Sequence, residues 1–235
     1  MNGLYLAASG AASTLGGLAA VADNLANVST PGFRRLLNQV EAVTGGTTPY
    51  QYAMNNKDPI LDTSQGPLHA TSNPMDIAIT GSAFMMVRTP QGDLYTRNGS
   101  LRVQPDGTLT AGGYPLLSST GSTLTLSGPG TPVIGGDGSI SLNGTPVGQI
   151  ALVEAAGTQM LPLGDSLYKT ANGEVLPPTA SSQIHQGFIE GSTGSEITEV
   201  TSMLGMMRSY ESSMKAIHAI DSDQSQAIQA LTLHA

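Results

Sequence analysis

The chain opens with a long helical repeat that is almost free of charge, and this repeat constrains the fold more than any other stretch. Between Met1 and Thr30 the one charged side chain is Asp23. Apolar side chains recur there at alternating steps of four and three, which is the spacing of a coiled-coil seam. The seam residues are Leu4, Ala8, Ala11, Leu15, Leu18, Ala22 and Leu25. A helix without a solvated face has to be buried on more than one side.

A second row on the same helix consists of small residues spaced seven apart. Its members are Gly3, Gly10, Gly17 and Asn24. A glycine costs roughly 1 kcal/mol relative to alanine inside a helix, so the isolated segment is marginal. The seam by itself is also typical of a core helix in an ordinary domain. Because small residues allow a neighbouring backbone to approach closely, we expect this row to face other molecules in an assembly. The apolar row is then expected to pack within the chain.

A proline–glycine turn follows the helix. The residue before Pro31 is pushed out of helical geometry, and Pro31 and Gly32 suit the centre of a type II turn. The residues assigned to this turn are Asn27, Thr30, Pro31, Gly32 and Phe33. The sequence therefore predicts an N-terminal helix and turn over residues 1–33.

The composition argues against several classes of function. Only 11% of the 235 residues are charged, and the formal net charge is −8, which disfavours nucleic acid and anionic membranes as partners. The absence of cysteine excludes disulfides, thiolate metal sites and cysteine nucleophiles. The first helix lacks a positively charged start, and no stretch approaches the ~20 consecutive apolar residues of a membrane span. We therefore expect no cleaved signal segment and no membrane insertion.

The middle of the chain has the pattern of short strands. Residues 34–74 form a connector that is expected to be either a packed extended arm or a flexible segment. Within it, Leu36, Leu37, Val40 and Val43 have a helical rhythm, whereas Tyr50, Tyr52 and Met54 alternate as in a strand. Over residues 75–186, apolar runs alternate with turns about every ten positions, which predicts an all-β domain of sandwich or barrel type. Five pairs suit the positive φ of type I′ hairpin turns: Asn98-Gly99, Asp106-Gly107, Asp137-Gly138, Asn143-Gly144 and Asn172-Gly173.

Helical periodicity returns in the last segment, residues 187–235. Ser195 suits the N-cap, and Glu196 and Glu199 suit the positive end of a helix. The seam predicted for this helix comprises Val200, Met203, Met207, Tyr210, Met214, Ile217, Ile228 and Leu231. The predicted fold is mainly β with terminal helices. The N- and C-terminal helices pair as an antiparallel coiled coil, and the all-β domain is inserted between them.

No arrangement of side chains predicts catalysis. The four histidines lack metal-ligand spacing, and neither a nucleophile elbow nor a phosphate-binding loop is present. We therefore expect no catalytic residue, no metal and no cofactor. A carboxylate pair for glycoside hydrolysis is the remaining alternative, with Asp62, Asp76, Asp93, Asp106, Asp137 and Asp165 as candidates. Most of these adjoin glycine or proline, as turn aspartates do.

Three segments resemble the signatures of one known family. The segment NLANVSTPGFR, residues 24–34, resembles the N-terminal signature of the bacterial flagellar rod and hook proteins. GSAFMMV (81–87) and YTRNGSL (95–101) resemble the central β motif of that family, and GFIEGS (187–192) with the helix around Tyr210 resembles its C-terminal signature. Thr193 and Gly194 depart from the Asn-Val pair that usually follows. Because the matches occur in the family order and span the chain, it is identified as a member of this family.

This resemblance implies a structural protein rather than an enzyme. Within the family, the chain looks most like the proximal-rod subunit of the F type, with a distal-rod or hook-type subunit as the alternative. The implied role is a subunit of the hollow rod of the basal body, in which the terminal helices form the inner tube and the β domain the outer layer. The implied partners are copies of the chain, other proximal and distal rod subunits, and the type III apparatus that exports it uncleaved. A β domain that binds or cleaves peptidoglycan is a distant alternative.

Overall fold

The structure is a computed structural model that describes residues 2–44, 52–155, 160–171, 173, 176–179 and 182–232. For residues 2, 40–44, 52–58, 227 and 230–232 it describes the backbone alone. The chain folds as two compact units. The helical unit comprises Met1–Ala26, Leu36–Pro59 and Glu196–Ala235, and the β unit comprises Asn27–Arg35 and Ile60–Ser195.

Two long helices make up most of the helical unit, namely α1 (Asn2–Ala26) and α2 (Glu196–Thr232). α1 ends where the sequence predicts, immediately before the turn that starts at Asn27. α2 carries Glu196 and Glu199 in its first turn, where the helix dipole favours carboxylates. The two helices pack against each other, so the predicted association of the terminal helices is confirmed.

The two helices meet along rows that are each spaced seven residues apart and run in opposite directions. The row on α1 is Gly3, Gly10, Gly17 and Asn24, and the residues that face it on α2 are Ile220, Ser213, Met206 and Glu199. The approach is closest near the middle, where a Cβ on Gly17 would lie 3.2 Å from Sδ and Cε of Met206. At the end of the row, Asn24 Nδ2 donates a hydrogen bond to Glu199 Oε2 at 3.4 Å. We call these two rows the contact rows.

The contact rows correct the predicted assignment of the faces of α1. The sequence predicts that the glycine row faces other molecules, whereas in the structure this row lies against α2 of the same chain. The physical reason is that glycines let the larger Met206 and Ile220 side chains come close to the α1 backbone. The small residues therefore correctly predict a close approach at this row, but the prediction that another molecule makes this approach is wrong, because α2 of the same chain makes it.

The predicted connector contains a pair of strands. β1 (Leu36–Thr44) and β2 (Tyr52–Leu61) are neighbours in a two-stranded sheet, so the helical rhythm expected at the beginning of this segment is wrong. β1 begins against α1, because Leu36 N donates to Asn24 Oδ1 at 2.7 Å and Asn24 Nδ2 donates to Leu36 O at 3.0 Å. Asn38 Nδ2 donates to Gly17 O at 3.1 Å. These side-chain bonds to backbone atoms hold the start of β1 on the helix. Tyr50 lies outside the described residues.

The described part of the β unit consists of short antiparallel strands. They are β3 (Leu68–Ala70), β4 (Ile77–Thr80), β5 (Ala83–Thr89), β6 (Gly92–Thr96), β7 (Leu101–Val103), β8 (Leu109–Ala111), β9 (Tyr114–Pro115), β10 (Pro132–Ile134), β11 (Ser139–Leu142), β12 (Thr145–Gln149), β13 (Leu152–Glu154), β14 (Met160–Gly164), β15 (Leu167–Thr170), β16 (Gln183–Gln186) and β17 (Phe188–Glu190). The largest sheet has the order β13-β5-β6-β15-β14, and smaller sheets are β7-β8-β9, β10-β11-β12, β16-β4 and β17-β3. The predicted all-β middle of the chain is confirmed.

Aliphatic side chains form the core of the β unit. Ile77, Met85, Val87, Leu109 and Leu116 are among those with an exposed fraction of 0%. Each fully buried side chain of this size contributes roughly 1.5 to 3 kcal/mol relative to an exposed one. The strands are short, and this shared core holds the small sheets together as one unit.

One of the five predicted hairpin turns has the geometry of type I′. Asn143 and Gly144 have φ angles of 52° and 79° and connect β11 to β12, which pair with each other. In Asp106-Gly107 and Asp137-Gly138 only the glycine has a positive φ, and in Asn98-Gly99 neither residue has one. Asn172 lies outside the described residues. An Asn-Gly or Asp-Gly pair therefore does not by itself determine the type of turn, and at Asn98-Gly99 no turn is assigned.

We expect Gly17→Leu to separate α1 from α2 without unfolding the β unit. A leucine side chain would overlap Met206 and Asn38, and overpacking of this kind costs about 1–3 kcal/mol. Far-ultraviolet circular dichroism of the purified chain should lose helical signal, while the thermal transition of the β unit keeps its midpoint. Ala19→Leu is the matched control, because Ala19 lies on the same helix and is exposed. Full helical signal in Gly17→Leu would contradict the contact.

Candidate assembly surface and buried ion cluster

The side of α1 opposite its contact row is apolar and open to solvent. This outer face of α1 consists of Tyr5, Ala8, Ala12, Leu15, Ala19 and Ala22, which follow one another at steps of three and four and are all exposed. Tyr5 is 75% exposed and Leu15 is 48% exposed. A helix face in contact with water normally carries charged or polar side chains. The outer face of α1 instead has the composition of a surface that another molecule covers.

The first third of α2 adds a second exposed apolar row. Ile197, Val200, Leu204 and Met207 have exposed fractions of 81, 40, 51 and 43%. Their steps of three and four place them on one side of the helix, and we call them the outer row of α2. Together with the outer face of α1, they give the helical unit large apolar side chains that its own packing does not bury.

The structure divides the predicted seam residues between buried and exposed positions. On α1, Ala11 is buried and Leu4, Leu18 and Leu25 are partly buried, but Ala8, Leu15 and Ala22 are exposed. On α2, Met203, Tyr210, Met214 and Ile217 are partly buried, Val200, Met207 and Ile228 are exposed, and the side chain of Leu231 is not described. The predicted rows are therefore displaced from the contact rows by part of a helical turn. The reason is that small residues, rather than large apolar ones, form the contact on α1.

α1 is also long and apolar enough, by length and composition, to cross a membrane. This test uses length and mean composition rather than a run of consecutive apolar residues, so the expectation of no membrane insertion stays a prediction. A core helix of a soluble protein and a signal sequence near the N-terminus pass the same test. In this structure α1 packs against α2. The absence of charge from the contact row of α1 is therefore explained by packing within the chain.

The β unit contains a buried ion cluster that is centred on Glu190. Glu190 Oε1 lies 3.1 Å from Arg34 Nη2, and Glu190 Oε2 lies 2.9 Å from Arg97 Nε. The exposed fractions of the three side chains are 3% for Arg34, 0% for Arg97 and 1% for Glu190. Charges that are buried this deeply are tolerated only when they are paired and hydrogen-bonded. Removal of one member would leave another charge uncompensated.

Further hydrogen bonds satisfy Glu190 and Arg97. Glu190 Oε1 also accepts from Gln65 Nε2 at 2.7 Å and from Gly66 N at 3.0 Å. The Arg97 guanidinium donates to three carbonyl oxygens at distances between 2.6 and 2.9 Å, those of Ile79, Gly81 and Ala83. Arg97 therefore joins β4 and β5 to β17 through a single side chain.

The electrostatics of the cluster favour a structural role over a catalytic one. Burial lowers the pKa of Arg97 to about 10, and the nearby charge of Arg34 adds to the lowering. Burial raises the pKa of Tyr168 to about 12, although its hydroxyl accepts a hydrogen bond from Arg34 N at 2.9 Å. Near neutral pH the guanidinium stays charged and the phenol stays protonated. These two groups therefore exchange no proton in the range in which acid–base catalysis operates.

The ion cluster lies where two distant segments of the chain run side by side within the β unit. Gly32 N donates to Glu190 O at 2.8 Å, and Thr193 N donates to Phe33 O at 3.1 Å. Arg35 N donates to Thr193 Oγ1 at 2.8 Å. One of these segments follows α1 in the sequence and the other precedes α2. The backbone bonds and the Arg34–Glu190 pair therefore join the chain leaving one helix to the chain entering the other.

The predicted turn is part of this pairing. Gly32 has a φ of 68°, and Phe33 N donates to Thr30 O at 3.2 Å, which is the pattern that a type II turn requires. A Cβ on Gly32 would collide with the carbonyl group of Arg97. Thr30 Oγ1 lies 3.2 Å from Asn27 Oδ1, and Pro31 occupies the second turn position. The predicted geometry of this segment is confirmed, and its role in assembly stays a prediction.

The aspartates considered for hydrolysis are dispersed. Asp106, Asp137 and Asp165 lie in turns and Asp93 is in an exposed pair with Arg88. Asp62 is paired with Arg35, and Asp76 is buried and forms a β-bridge with Ser100. Asp106 accepts from Thr108 and Asp137 accepts from Ser139, through both the backbone and the side chain of each partner, and these bonds lower the pKa of both carboxyls. A general acid for glycoside cleavage needs the opposite shift. Among the described residues, no group of three or more His, Cys, Asp or Glu is arranged to hold a metal ion.

We expect Glu190→Gln to lower the stability of the β unit strongly. Glutamine keeps the shape but leaves Arg34 and Arg97 without a counter-charge, and breaking a buried pair costs about 3–5 kcal/mol. The readout is the thermal midpoint of the β signal in circular dichroism. Asp93→Asn is the matched control, because it removes a carboxylate from the exposed Arg88–Asp93 pair and should leave the midpoint nearly unchanged. Equal midpoints in the two variants would rule out the structural importance of the cluster.

Three family models of flagellar proteins match successive parts of the chain. The family model of the flagella basal body rod protein matches residues 4–34. The D1 domain of the flagellar hook protein FlgE/F/G matches residues 78–185, and the C-terminal model of the flagellar basal body rod FlgEFG protein matches residues 185–230. These matches contain Arg34, Arg97 and Glu190 respectively, so the ion cluster brings all three family regions together.

Individual relatives cover almost the whole chain. The flagellar basal-body rod protein FlgF of Escherichia coli (strain K12) is 31% identical over 99% of both chains, and FlgF of Salmonella typhimurium is 33% identical over 99% of both. The flagellar basal-body rod protein FlgG of Bacillus subtilis is 28% identical over 83% of this chain and 81% of its own. The chain therefore belongs to the family of flagellar basal-body rod proteins, and within that family it is similar to FlgF.

Proposed function

We propose that this chain is a structural, non-enzymatic subunit of the proximal flagellar rod, and that it assembles through the outer face of α1 and the outer row of α2. Similarity to FlgF over 99% of the chain supports the place in the rod. The observation that carries the mode of assembly is the exposed, uncharged outer face of α1. Its partners in this proposal are further copies of the chain and other proximal and distal rod subunits.

The energetic argument rests on the apolar side chains that the isolated chain leaves in water. Tyr5 and Leu15 on α1, and Ile197 and Leu204 on α2, are each about half exposed or more. A side chain of this size contributes roughly 1.5 to 3 kcal/mol when it becomes fully buried. Charged side chains, which oppose desolvation, are absent from the outer face of α1. Association of several such helices therefore removes a large apolar area at little electrostatic cost.

The two sides of α1 have separate roles in this proposal. The contact row of Gly3, Gly10, Gly17 and Asn24 holds α2, and the outer face contacts neighbouring subunits. In the rod the two helices act as an antiparallel coiled coil whose seam on α1 is made of small residues. The heptad spacing of both contact rows supports this arrangement. The helix pairs then form the inner tube of the hollow drive shaft, and the β units form the outer layer that helps to transmit torque.

Export without cleavage follows from the part that α1 has in the helix pair. α1 passes the same test of length and apolar composition as a signal sequence, but its removal would expose Met206 and Ile220 on α2. A subunit that needs α1 must retain it after export. We therefore assign export to the flagellar type III apparatus, and the final location to the basal-body rod that spans the periplasm.

A distal-rod subunit is the alternative within the same family. It is supported by the 28% identity to FlgG of Bacillus subtilis. The FlgF relatives have a higher identity over a larger share of the chain, which favours the proximal assignment. Both alternatives use the same outer face.

We expect Leu15→Glu to block rod assembly and swimming while the purified chain keeps its fold. Leu15 is 48% exposed, so the carboxylate is hydrated in the free chain. It would have to be desolvated, without a partner, when a neighbour covers the outer face. Circular dichroism of the free chain and motility of cells that carry the variant are the two readouts.

Leu15→Met is the matched control, because it keeps an apolar side chain of similar volume at the same position. Swimming should be retained in this variant. Normal motility of Leu15→Glu, with the variant incorporated into rods, would overturn the assignment of the outer face.

A further inference from the structure

The side chain at the closest point of the helix pair is a methionine. Sδ and Cε of Met206 both lie 3.2 Å from the position of a Cβ on Gly17, so the thioether itself lies against α1. The residues of α2 that face the other two glycines of the row are Ile220 and Ser213, and hydrogen peroxide does not oxidise either side chain. Among the four residues in the contact row of α2, Met206 is therefore the one that peroxide can oxidise.

The thioether of Met206 is accessible to a small oxidant. The chain has ten methionines and no cysteine, so thioethers are its sites of reversible oxidation. Met206 is partly exposed, whereas Met85 and Met160 in the β unit have exposed fractions of 0 and 1%. Hydrogen peroxide, which is small and uncharged, can therefore reach Met206 more readily than these two core methionines.

Oxidation changes both the size and the polarity of the contact. Nδ2 of Asn38 lies 3.2 Å from the same point as Sδ and Cε of Met206, so the space beside Gly17 is already filled. A sulfoxide is polar and chiral, and it disrupts contacts that an apolar thioether makes. Its oxygen is a hydrogen-bond acceptor, but Asn38 Nδ2 already donates to Gly17 O at 3.1 Å. The oxidised side chain is therefore better solvated in water than against α1.

We propose that Met206 is an oxidation site that controls the helix pair, so that its sulfoxide separates α1 from α2 and its reduction restores the contact. In the oxidation step one oxygen of hydrogen peroxide forms a bond to Sδ. The O–O bond breaks, and the second oxygen leaves as water. The sulfur loses two electrons and the peroxide gains them.

The consequence of this oxidation for assembly rests on the proposed function. Because the paired helices are the form of the subunit that enters the rod in that proposal, a subunit with oxidised Met206 should not be incorporated. The effect on the helix pair is measured in the free chain. Its failure is therefore distinguishable from a failure of the assembly surface, which Leu15→Glu tests.

The test follows the full free chain by far-ultraviolet circular dichroism while hydrogen peroxide is added. Peptide mapping by mass spectrometry measures the sulfoxide at each methionine. We expect the helical signal to fall in proportion to oxidation at Met206 and to recover after treatment with methionine sulfoxide reductases. The thermal midpoint of the β unit should stay unchanged. The recovery in the unaltered chain does not depend on the folding of any variant.

Two leucine variants show whether Met206 is the methionine responsible. Met206→Leu keeps an apolar side chain of similar volume and should make the helical signal insensitive to peroxide. Met207→Leu is the matched control, because Met207 is the next residue and is 43% exposed, and this variant should lose helical signal as the unaltered chain does. Full helical signal with Met206 oxidised would overturn the proposal. Resistance of Met206 to peroxide, or an equal loss in the unaltered chain and Met206→Leu, would overturn it as well.

Discussion

The close approach of α1 to α2 along a row of small residues is the contact on which the helical unit depends. Because Gly17 has no side chain, Met206 reaches the α1 backbone, and Asn38 of β1 bonds to the carbonyl group of the same glycine. The larger side chains of α1, such as Tyr5 and Leu15, then lie on the opposite side and are exposed. The arrangement that pairs the helices is thus also the one that leaves an apolar surface of α1 exposed to solvent.

The β unit depends on a different interaction, the buried carboxylate of Glu190. Arg34, Arg97 and Glu190 come from the three regions that match the family, and they meet with less than 5% exposure each. The chain has few charged residues, yet it buries three of them together. Their pairing joins the segment after α1 to the segment before α2, so the two ends of the inserted domain are fixed to each other rather than left to separate.

Local features of the fold could be predicted from the sequence, whereas among the long-range contacts of the helices, β1 and the ion cluster only the association of α1 with α2 could. The Pro31-Gly32 turn depends on backbone geometry that two residues determine, and it was predicted correctly, as was the Asn143-Gly144 hairpin. The β1 strand was mistaken for a helical segment, because its position is set by bonds from Asn24 and Asn38 rather than by its own periodicity. The sequence predicts positive φ angles of a type I′ turn at Asp106 and Asp137. In the structure their carboxylates instead accept hydrogen bonds from the backbone N of Thr108 and Ser139, two residues later in the chain.

The contact rows and the ion cluster differ in the same way in what the sequence could predict. Periodicity identified two rows on α1 but could not tell which row faces α2, because a glycine adds nothing to a hydrophobic pattern even where it makes the closest contact. The ion cluster was not anticipated, since Arg97 and Glu190 are 93 residues apart and no spacing rule connects them. A hint was present in the sequence: three of its few charged residues lie in the three segments that resemble the family signatures.

Hydrogen exchange of the α1 backbone, in the free chain and in assembled rods, tests most directly whether neighbouring subunits stabilise the helix pair. The contact row of α1 has few side chains to bury and its outer face is open, so residues 5–28 should exchange rapidly in the dilute free chain while core amides of the β unit remain protected. In the rod the same residues should become strongly protected. Strong protection of residues 5–28 in the dilute free chain would contradict the account, because the helix pair, which forms in the free chain, would then gain no stability from its neighbours.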